Sequence, residues 1–203
     1  MEKLNLYIIR HGQTKWNVEK RMQGRKDSPL TELGVEQARK LKHSLKDIKW
    51  DAIYSSSLQR ALTTANIIRG DLTIPIIPLY GLQEMCFGDW EGKLTEDIAR
   101  QEPHKYEDFW MSPDLYVTST GEDFFEVQKR VLKEIKRILE QHKTGNVLIV
   151  AHTVIVKLLM AYFEDRPLEA LWNPPRIQPT ALSKIEIAND QVTILLHGDT
   201  SHF

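Results

Sequence analysis

The chain has 203 residues, 41% of them apolar, which is enough to build the core of one domain. Its 27 basic residues nearly cancel its 28 acidic ones, so its overall charge attracts neither nucleic acid nor an anionic membrane. Cys86 is the only cysteine, which excludes an intrachain disulfide and fits the reducing cytoplasm as the expected location. The N-terminal apolar run is too short for a secretory signal. The longest apolar stretch, "NVLIVAHTVIVKLLMAYF", is too short and too polar to span a bilayer.

Strands and helices are predicted to alternate along the chain. The first strand, "LYIIR", is rich in β-branched and aromatic residues and ends at Arg10. Thr31 is placed to cap the next helix, which is expected to run to Ile48 because apolar residues spaced three and four apart form one helical face. The later predicted elements are a strand at 51–56, a helix at 58–70 that ends at Gly70, an extended edge segment at 74–80, an irregular aromatic region at 81–120, a long amphipathic helix from 124, a strand at 146–152, a helix at 153–163 and a hairpin of strands at 181–188 and 191–197.

This alternation predicts an α/β fold, a three-layer α/β/α sandwich with a mostly parallel sheet. A single domain is expected over residues 1–203, with a small irregular or helical cap inserted around 85–120. Ligands of such sheets bind beyond the carboxyl ends of the strands. Arg10-His11, residues 55–60 and Ala151-His152 all follow predicted strands. We therefore expect them to meet at one edge of the sheet.

His11 and His152 close two apolar strands, and the residue types around them suit a phosphate group. Arg10 and Arg60 carry permanent charge and forked donors that match phosphoryl oxygens, and Asn17 adds a neutral donor. A histidine between arginines is pushed towards its neutral form, which a nitrogen nucleophile needs. The residues therefore predict transfer of a phosphoryl group to a histidine ring. Two histidines near carboxylates also suit a metal ion, but the arginines would repel a cation, so neither a metal nor a cofactor is expected.

The remaining histidines and one basic run are expected to be surface features. His43, His104 and His142 fall in polar surroundings and are expected to be solvated. The C-terminal "HGDTSHF", with His197 and His202, is expected to be a surface tail. The basic run is expected to be a solvated surface, with binding of a second phosphate as the alternative: Lys20, Arg21, Arg25 and Lys26.

Five segments, in order along the chain, resemble a known family. "RHGQTKWN" resembles the signature of the histidine phosphatase superfamily, the phosphoglycerate mutase-like proteins. "RMQGRKDSPLTELGVEQARKL", "YSSSLQRALTTA", "LQEMCFGDWEG" and "VLIVAHTVIV" resemble the blocks that follow this signature. The resemblance covers almost the whole chain and implies the family's fold and its phosphoryl-transfer chemistry.

The resemblance implies a role for each matching residue. His11 matches the nucleophile that forms a phosphohistidine. Glu84 matches the acid that protonates the leaving group and then serves as base towards water, which requires a carboxyl group protonated part of the time near neutral pH. The residues implied to hold the phosphoryl oxygens are Arg10, Asn17, Arg60 and His152, and those implied to line the pocket are Gln23 and Gly24. Thr153 departs from the family's usual glycine, and its β-carbon is expected to narrow the space near the phosphate.

Within the family, the residues favour a phosphatase over a mutase. Family mutases follow the catalytic Glu with Arg and Tyr, whereas Met85 and Cys86 follow Glu84. Residues 106–128 contain no Lys or Arg, and the aromatic side chains there suit an organic leaving group with apolar surface. "FGDWEG" also resembles the phosphatase branch, which includes broad-specificity phosphatases and α-ribazole phosphatase.

We therefore predict a metal-independent phosphomonoesterase that acts on a small phosphorylated metabolite through a phosphohistidine. The alternatives are a phosphoglycerate mutase and a non-catalytic phospholigand-binding protein. The oligomeric state stays open, and an exposed apolar strand or helix face could serve a homodimer.

Overall fold

The computed structural model describes residues 3–203; Met1 and Glu2, at the start of the predicted domain, lie outside that range. Within it, strands and helices alternate as the sequence predicts. The elements are β1 (Leu4–Arg10), α1 (Lys15–Val18), α2 (Glu32–Ser44), β2 (Ala52–Ser56), α3 (Gln59–Arg69), β3 (Ile76–Leu79), α4 (Thr95–Gln101), α5 (Pro103–Met111), α6 (Phe124–Gln141), β4 (Gly145–Ala151), α7 (Thr153–Phe163), β5 (Leu182–Ala188) and β6 (Gln191–Asp199). Short 3₁₀ turns are Tyr80–Leu82, Gly88–Trp90 and Leu168–Ala170. No helix in residues 3–203 is long and apolar enough to cross a membrane.

The strands form one sheet in the order β3-β2-β4-β1-β5-β6. β1 to β4 run parallel, while β5 is antiparallel to β1 and β6 is antiparallel to β5. The mostly parallel sheet is therefore confirmed, and β3 takes the predicted place at an edge. In the two central strands, Arg10 pairs with Ala151. This register makes His11 and His152 leave the sheet side by side.

Helices cover both faces of the sheet, which confirms the three-layer sandwich. Alternate residues of β1 belong to different cores because successive strand side chains point to opposite faces. Tyr7 and Ile9 pack in the core that α2 and α3 cover, whereas Leu6 and Ile8 pack in the core that α6 and α7 cover. Both faces of the sheet are thus buried. The carboxyl ends of the parallel strands are not covered by these helices, and a ligand can reach the sheet there.

Helix α2 begins where the sequence predicts but ends earlier. Thr31 Oγ1 accepts a hydrogen bond from the Gly34 N–H (3.0 Å), which caps the helix. The helix ends at Ser44 rather than at Ile48. The chain then turns, and the Ile48 N–H donates to the Leu45 carbonyl (3.0 Å). Ile48 still packs against the same core, which explains why the apolar spacing continues past the end of the helix.

The C-terminal segment 197–203 is not the predicted surface tail, because its first three residues belong to the sheet. β6 runs to Asp199, and both histidines of the segment have partners far away in the sequence. His197 Nδ1 lies 2.7 Å from Glu164 Oε1, and His202 Nε2 lies 3.2 Å from the Thr180 hydroxyl. These long-range contacts have no local sequence signal.

The three histidines expected to be solvated differ in exposure. His43 and His104 are exposed, as predicted. His142 is half-buried, and its Nε2 lies 2.9 Å from the Tyr54 hydroxyl. His142 therefore pairs with a strand residue rather than with solvent alone.

The cap region, residues 85–120, contains α4, α5 and one 3₁₀ turn, and it is irregular and helical as predicted. Phe109 lies at the centre of an aromatic cluster that joins this region to the main core. The ring centroids of its neighbours lie 4.9 to 5.8 Å away: Phe87, Trp90, Trp110, Tyr116, Phe124 and Trp172. The aromatic residues thus close a secondary core, one of the two interpretations that the sequence allowed. The limits of the cap as an insertion stay a prediction.

Candidate active site

The carboxyl ends of β1 and β4 bring His11 and His152 together, as the sequence predicts. The His11 backbone N–H donates to the Ala151 carbonyl (3.0 Å), which ties the two strand ends. Both histidine side chains are buried, and their ring centroids lie 5.2 Å apart. The side chains of Arg10 and Arg60 line the same cavity as His11.

His11 is held as a neutral ring with a lone pair on Nε2. Its Nδ1 lies 2.7 Å from the Gly12 carbonyl. Because a carbonyl oxygen can only accept, Nδ1 carries the proton and Nε2 the lone pair. Burial lowers the pKa of His11 well below its usual value, and the charges of Arg60 and Arg10 lower it further. This is the protonation state that a nitrogen nucleophile needs.

Arg60, on α3, is almost completely buried and fixed in one orientation. Its Nε donates to His11 Nε2 (3.3 Å), and its Nη2 donates to the Gly24 carbonyl (2.7 Å). Its Nη1 donates to the Lys26 carbonyl and to Asp27 Oδ1, both at 2.9 Å. The guanidinium group is therefore placed beside His11 before any ligand binds.

Asp27 is a residue that sequence reasoning missed. Helix α3 starts after Leu58, whose side chain cannot cap it. Asp27 Oδ2 instead accepts the Gln59 N–H (2.6 Å), while Oδ1 pairs with Arg60. Because Asp27 lies 32 residues before the helix that it caps, no local pattern marks it.

Arg10 ends β1, and its Nη1 donates to the Ile177 carbonyl (2.8 Å). Its Nε is buried and has no hydrogen-bond partner within residues 3–203. Burial lowers the pKa of Arg10 to about 10, an effect that the charge of Glu84 opposes. The charges of Arg176 and Arg60 add to the lowering. Arg10 remains a cation at neutral pH, with a donor left for a ligand oxygen.

His152 is oriented by Ser56, a residue to which sequence reasoning gave no role. His152 Nε2 lies 2.7 Å from Ser56 Oγ, which also accepts the Leu58 N–H (3.3 Å). Burial lowers the pKa of His152 well below its usual value, with a further contribution from Arg60. When Ser56 donates to Nε2, the single proton of the neutral ring lies on Nδ1. That nitrogen is buried without a partner in the described part of the chain, so it can donate to a ligand.

Glu84 lies in the same buried site, and both of its carboxyl oxygens accept backbone hydrogen bonds. Oε1 accepts from the Met85 N–H (2.9 Å) and Oε2 from the Val154 N–H (3.3 Å) at the start of α7. Burial raises the pKa of Glu84, and these bonds and the charge of Arg60 offset only part of the rise. A carboxyl group with a raised pKa can both give and take a proton near neutral pH.

Arg130, on α6, holds the backbone around Glu84 and was not singled out from the sequence. Its Nη2 donates to the Glu84 carbonyl (3.2 Å), and its Nη1 donates to the Gln83 carbonyl (2.7 Å). The Glu122 carboxylate pairs with Arg130 Nε at 2.8 Å and keeps the guanidinium group in place. A helix of the core thus supports the backbone at Glu84.

The other three predicted binding residues line the same cavity. Asn17 Oδ1 accepts the Thr14 N–H (3.0 Å), which leaves the side-chain amide N–H groups for a ligand. Gln23 is buried, and its Oε1 is without a partner among the described residues. Gly24 has a φ of +57°, and a Cβ there would collide with the Glu91 carboxylate. Glycine adopts this backbone conformation without strain and leaves room for the Glu91 carboxylate.

Comparison with known proteins decides the family. A sequence profile of the histidine phosphatase superfamily (branch 1) matches residues 6–200. This chain belongs to the histidine phosphatase superfamily. The matched range includes both histidines, both arginines and the glutamate described above, so the histidine phosphatase resemblance covers the whole site.

Relatives of this histidine phosphatase are named as phosphatases with different substrates. The adenosylcobalamin/alpha-ribazole phosphatase of Escherichia coli is 31% identical over 191 residues, which is 94% of each chain. The metal-independent phosphoserine phosphatase of Arabidopsis thaliana is 32% identical over 161 residues, or 78% of this chain and 68% of the relative. The structure of YhfR from Bacillus stearothermophilus is 45% identical, has a TM-score of 0.94 and covers 98% of each chain. This chain is therefore a phosphomonoesterase of the histidine phosphatase type.

The histidine phosphatase site opens into a cavity of about 730 Å³. This volume is typical of pockets for ligands much larger than phosphate alone. Its wall beyond the histidines and arginines is largely aromatic: Trp16, Phe87, Tyr106, Phe109, Trp110 and Trp172. Some of the aromatic residues of the cap therefore also face the cavity, in addition to closing a secondary core.

The predicted basic run divides between the cavity and the surface. Lys20 and Arg21 line the cavity, so the interpretation as a solvated surface is incomplete for them. Arg25 is exposed and pairs with Glu122 (3.1 Å), and Lys26 Nζ donates to a backbone carbonyl (3.2 Å).

Thr153 is the first residue of α7 and lines the cavity, as the sequence places it. The effect of its β-carbon on phosphate binding stays a prediction.

Residues 3–203 contain no group of three or more His, Cys, Asp or Glu side chains arranged to hold a metal ion. Independence of metal also stays a prediction, which a chelator tests.

Proposed function

We propose that this phosphatase hydrolyses phosphomonoesters of small organic molecules through a phosphohistidine on His11. One observation carries the proposal. His11 is a buried neutral ring whose Nε2 lone pair lies beside Arg60 and close to a second neutral histidine, His152. A neutral nitrogen nucleophile surrounded by cationic and neutral donors suits attack on a phosphoryl group.

In the first step, His11 Nε2 attacks phosphorus and the bond from phosphorus to the ester oxygen breaks. The protonated Glu84 gives its proton to that oxygen, and the alcohol leaves. In the second step, Glu84 as carboxylate takes a proton from water, and the water oxygen bonds to phosphorus. The bond from phosphorus to Nε2 breaks, its electron pair returns to His11, and inorganic phosphate leaves.

The phosphoryl oxygens would be held by hydrogen-bond donors of two kinds. Some are buried without a partner, and others are already fixed in place by their other contacts. Arg10 Nε and His152 Nδ1 are buried without partners among residues 3–203, and the Asn17 amide lines the same cavity. Arg60 is fixed by its other contacts and would supply charge at the reacting centre. Such preorganised donors stabilise the negative charge that develops in the transition state.

The alternatives receive less support. Family mutases bind the carboxylate of phosphoglycerate with basic residues of the cap, whereas Tyr106, Phe109 and Trp110 line this cavity from the cap. A non-catalytic binding protein would not need Glu84 buried with a raised pKa close to a neutral His11. We therefore favour hydrolysis over the phosphoglycerate mutase reaction and over binding alone.

The substrate is proposed to be a small phosphorylated metabolite whose organic part contacts the aromatic wall. Two relatives of nearly equal identity are named for different substrates, one for alpha-ribazole phosphate chemistry and one for phosphoserine, so their names do not select one for this chain. A cytoplasmic location and a homodimer, both considered from the sequence, stay predictions. Cell fractionation and light scattering would test them.

The test is phosphate release from 4-nitrophenyl phosphate, with a chelator present, by wild type, His11→Ala and His43→Ala. His11→Ala should lose about 1,000-fold or more in kcat, because no other nucleophile occupies its place. His43→Ala is the matched control, since His43 is exposed on α2 and should leave turnover unchanged. Circular dichroism would verify that both variants fold. Normal turnover by a folded His11→Ala variant would overturn the mechanism.

A further inference from the structure

Four cations that line the cavity have no role in the proposed chemistry, and two of them, Lys20 and Arg176, also lack a partner within residues 3–203. Lys20 and Arg176 both line it, and both are exposed. Within residues 3–203, neither side chain has a hydrogen-bond or ion-pair partner. Arg21, the neighbouring cation, is different because it pairs with Glu19 (2.6 Å) and donates to the Gly92 carbonyl (2.7 Å). Lys20 and Arg176 therefore keep all their donors for a ligand.

The backbone on both sides of Arg176 is held in place. Arg10 Nη1 donates to the carbonyl of Ile177, the next residue (2.8 Å). On the other side, Lys157 Nζ donates to the Asn173 carbonyl. Arg176 is thus carried by a segment that is bonded directly to the phosphate-binding arginine, and its position is set together with that of the reacting centre.

The same segment connects the cavity to the cap. Trp172 Nε1 donates to the Phe109 carbonyl (2.6 Å), and both side chains line the cavity. A ligand that packs against this aromatic wall would have Arg176 within the same enclosure as the phosphate site. The distance between the two anionic groups of such a ligand would then be set by its organic part.

The charge of the cavity lining is strongly unbalanced. Glu84 is its only carboxyl group among the described residues, and the pKa of this group is raised. Arg176 lies near enough to Arg10 for its charge to lower the pKa of Arg10. Lys20 has a φ of +58°, an uncommon conformation for a residue with a Cβ. Arg10 and Arg60 already supply the positive charge that one bound phosphate needs. The other cations of the cavity are therefore in excess of that need.

We propose that Arg176, together with Lys20, binds a second anionic group on the organic part of the substrate. The inference rests on the proposed phosphatase function and narrows its substrate class. That class is a phosphomonoester with an apolar or planar body and a carboxylate or second phosphate away from the scissile bond. The aromatic wall contacts the body, and the two cations bind the distant anion.

The experiment uses a pair of substrates that differ in one charge, 6-carboxy-2-naphthyl phosphate and 6-carbamoyl-2-naphthyl phosphate. The ratio of kcat/KM for the carboxylate over the carboxamide is measured at low salt for wild type, Arg176→Gln and Lys20→Gln. Wild type should prefer the carboxylate by about two- to fivefold, the effect of one exposed charge pair. This ratio should be lower in each variant than in wild type. Added salt should also lower the ratio in wild type, because salt screens exposed charges.

Arg39→Gln is the matched control. It removes the same charge from α2, where Arg39 is 67% exposed and does not line the cavity. The ratio of kcat/KM for the carboxylate over the carboxamide should be the same in Arg39→Gln as in wild type. A ratio that is the same in wild type and Arg176→Gln, or equal losses in Arg39→Gln, would overturn the proposal.

A second readout separates this inference from the proposed function. Binding of the product, 6-carboxy-2-naphthol, is followed by its fluorescence and needs no turnover. The wild type should bind it more tightly than 6-carbamoyl-2-naphthol, and Arg176→Gln should remove the difference. If neither ester is hydrolysed but this difference is found, the phosphatase mechanism fails and the anion site stands. If both esters are hydrolysed with no charge preference, the anion site fails and the phosphatase stands.

Discussion

Asp27 supports both the start of α3 and the buried Arg60, so the Asp27→Ala change tests how the site is built. Loss of the capping bond to the Gln59 N–H costs about 1 kcal/mol. Loss of the charge partner of a buried arginine costs about 3 to 5 kcal/mol when nothing compensates. Two backbone carbonyls still accept from Arg60, and Asp27 is 30% exposed, so we expect about 2 kcal/mol here. Together these terms lower the free energy of unfolding by about 3 kcal/mol.

Catalysis should fall as well, because Arg60 would no longer be fixed beside His11. A displacement of about 1 Å in a positioning group can cost about 100-fold in rate. The assay combines urea denaturation with phosphate release from 4-nitrophenyl phosphate. Asp27→Asn keeps a side-chain oxygen for the cap and removes the charge, so its unfolding free energy should lie between those of wild type and Asp27→Ala.

Asp97→Ala is the matched control for Asp27→Ala. Asp97 pairs with the exposed Arg100 (3.4 Å), and breaking such a surface pair costs about 0.2 to 1 kcal/mol. The reasoning would be refuted if Asp27→Ala lost no more stability than Asp97→Ala and kept its kcat. That result would mean that Arg60 is held by the surrounding carbonyls alone.

Four further predictions concern Glu84, the partner of His152 and metal. Glu84→Gln should slow esters with poor leaving groups about 100-fold more than aryl esters with good ones, and equal losses on both would contradict the role of Glu84 as acid. Because burial raises the pKa of Glu84, wild-type kcat on a poor leaving group should fall as pH rises through that pKa, and a pH profile of Glu84→Gln should lack this limb. Ser56→Ala should lower kcat about tenfold and the free energy of unfolding by about 1 to 3 kcal/mol, because His152 Nε2 loses its partner; unchanged kinetics and stability would remove Ser56 from the site. Dialysis against a chelator should leave kcat unchanged, and recovery of a lost rate on adding a divalent ion would reopen the metal interpretation.

Much of the fold and the residues of the site could be predicted from the sequence because their signals are local. The apolar runs that end at Arg10 and Ala151 mark buried strands, and the residues that follow them meet at the sheet edge. Thr31 caps α2 as its position predicts. The predicted end of α2 at Ile48 was wrong. Ile48 packs against the core from a turn, so the apolar spacing in the sequence is the same as that of a longer helix.

The supporting contacts could not be predicted because they join residues far apart in the chain. Asp27 acts on a helix 32 residues later, and Ser56 lies 96 residues from the histidine that it orients. Arg130 holds a carbonyl 46 residues earlier in the chain. The C-terminal histidines were assigned to a tail for the same reason, since the partner of His197 is Glu164, just after the end of α7. Only tertiary structure reveals such pairs.

The position of the chemistry on the two central strands has a consequence for how this enzyme can change. The strands β1 and β4 that carry His11 and His152 are the two central strands of the sheet, so hydrogen exchange of the amides inside them should require unfolding of the whole domain. The two cations proposed to bind the second anionic group of the substrate, Lys20 and Arg176, lie instead on connecting segments. Substitutions there alter selectivity without disturbing the most stable part of the fold. A scaffold of this kind can acquire new substrates by mutation of its loops while the phosphoryl-transfer step is inherited unchanged.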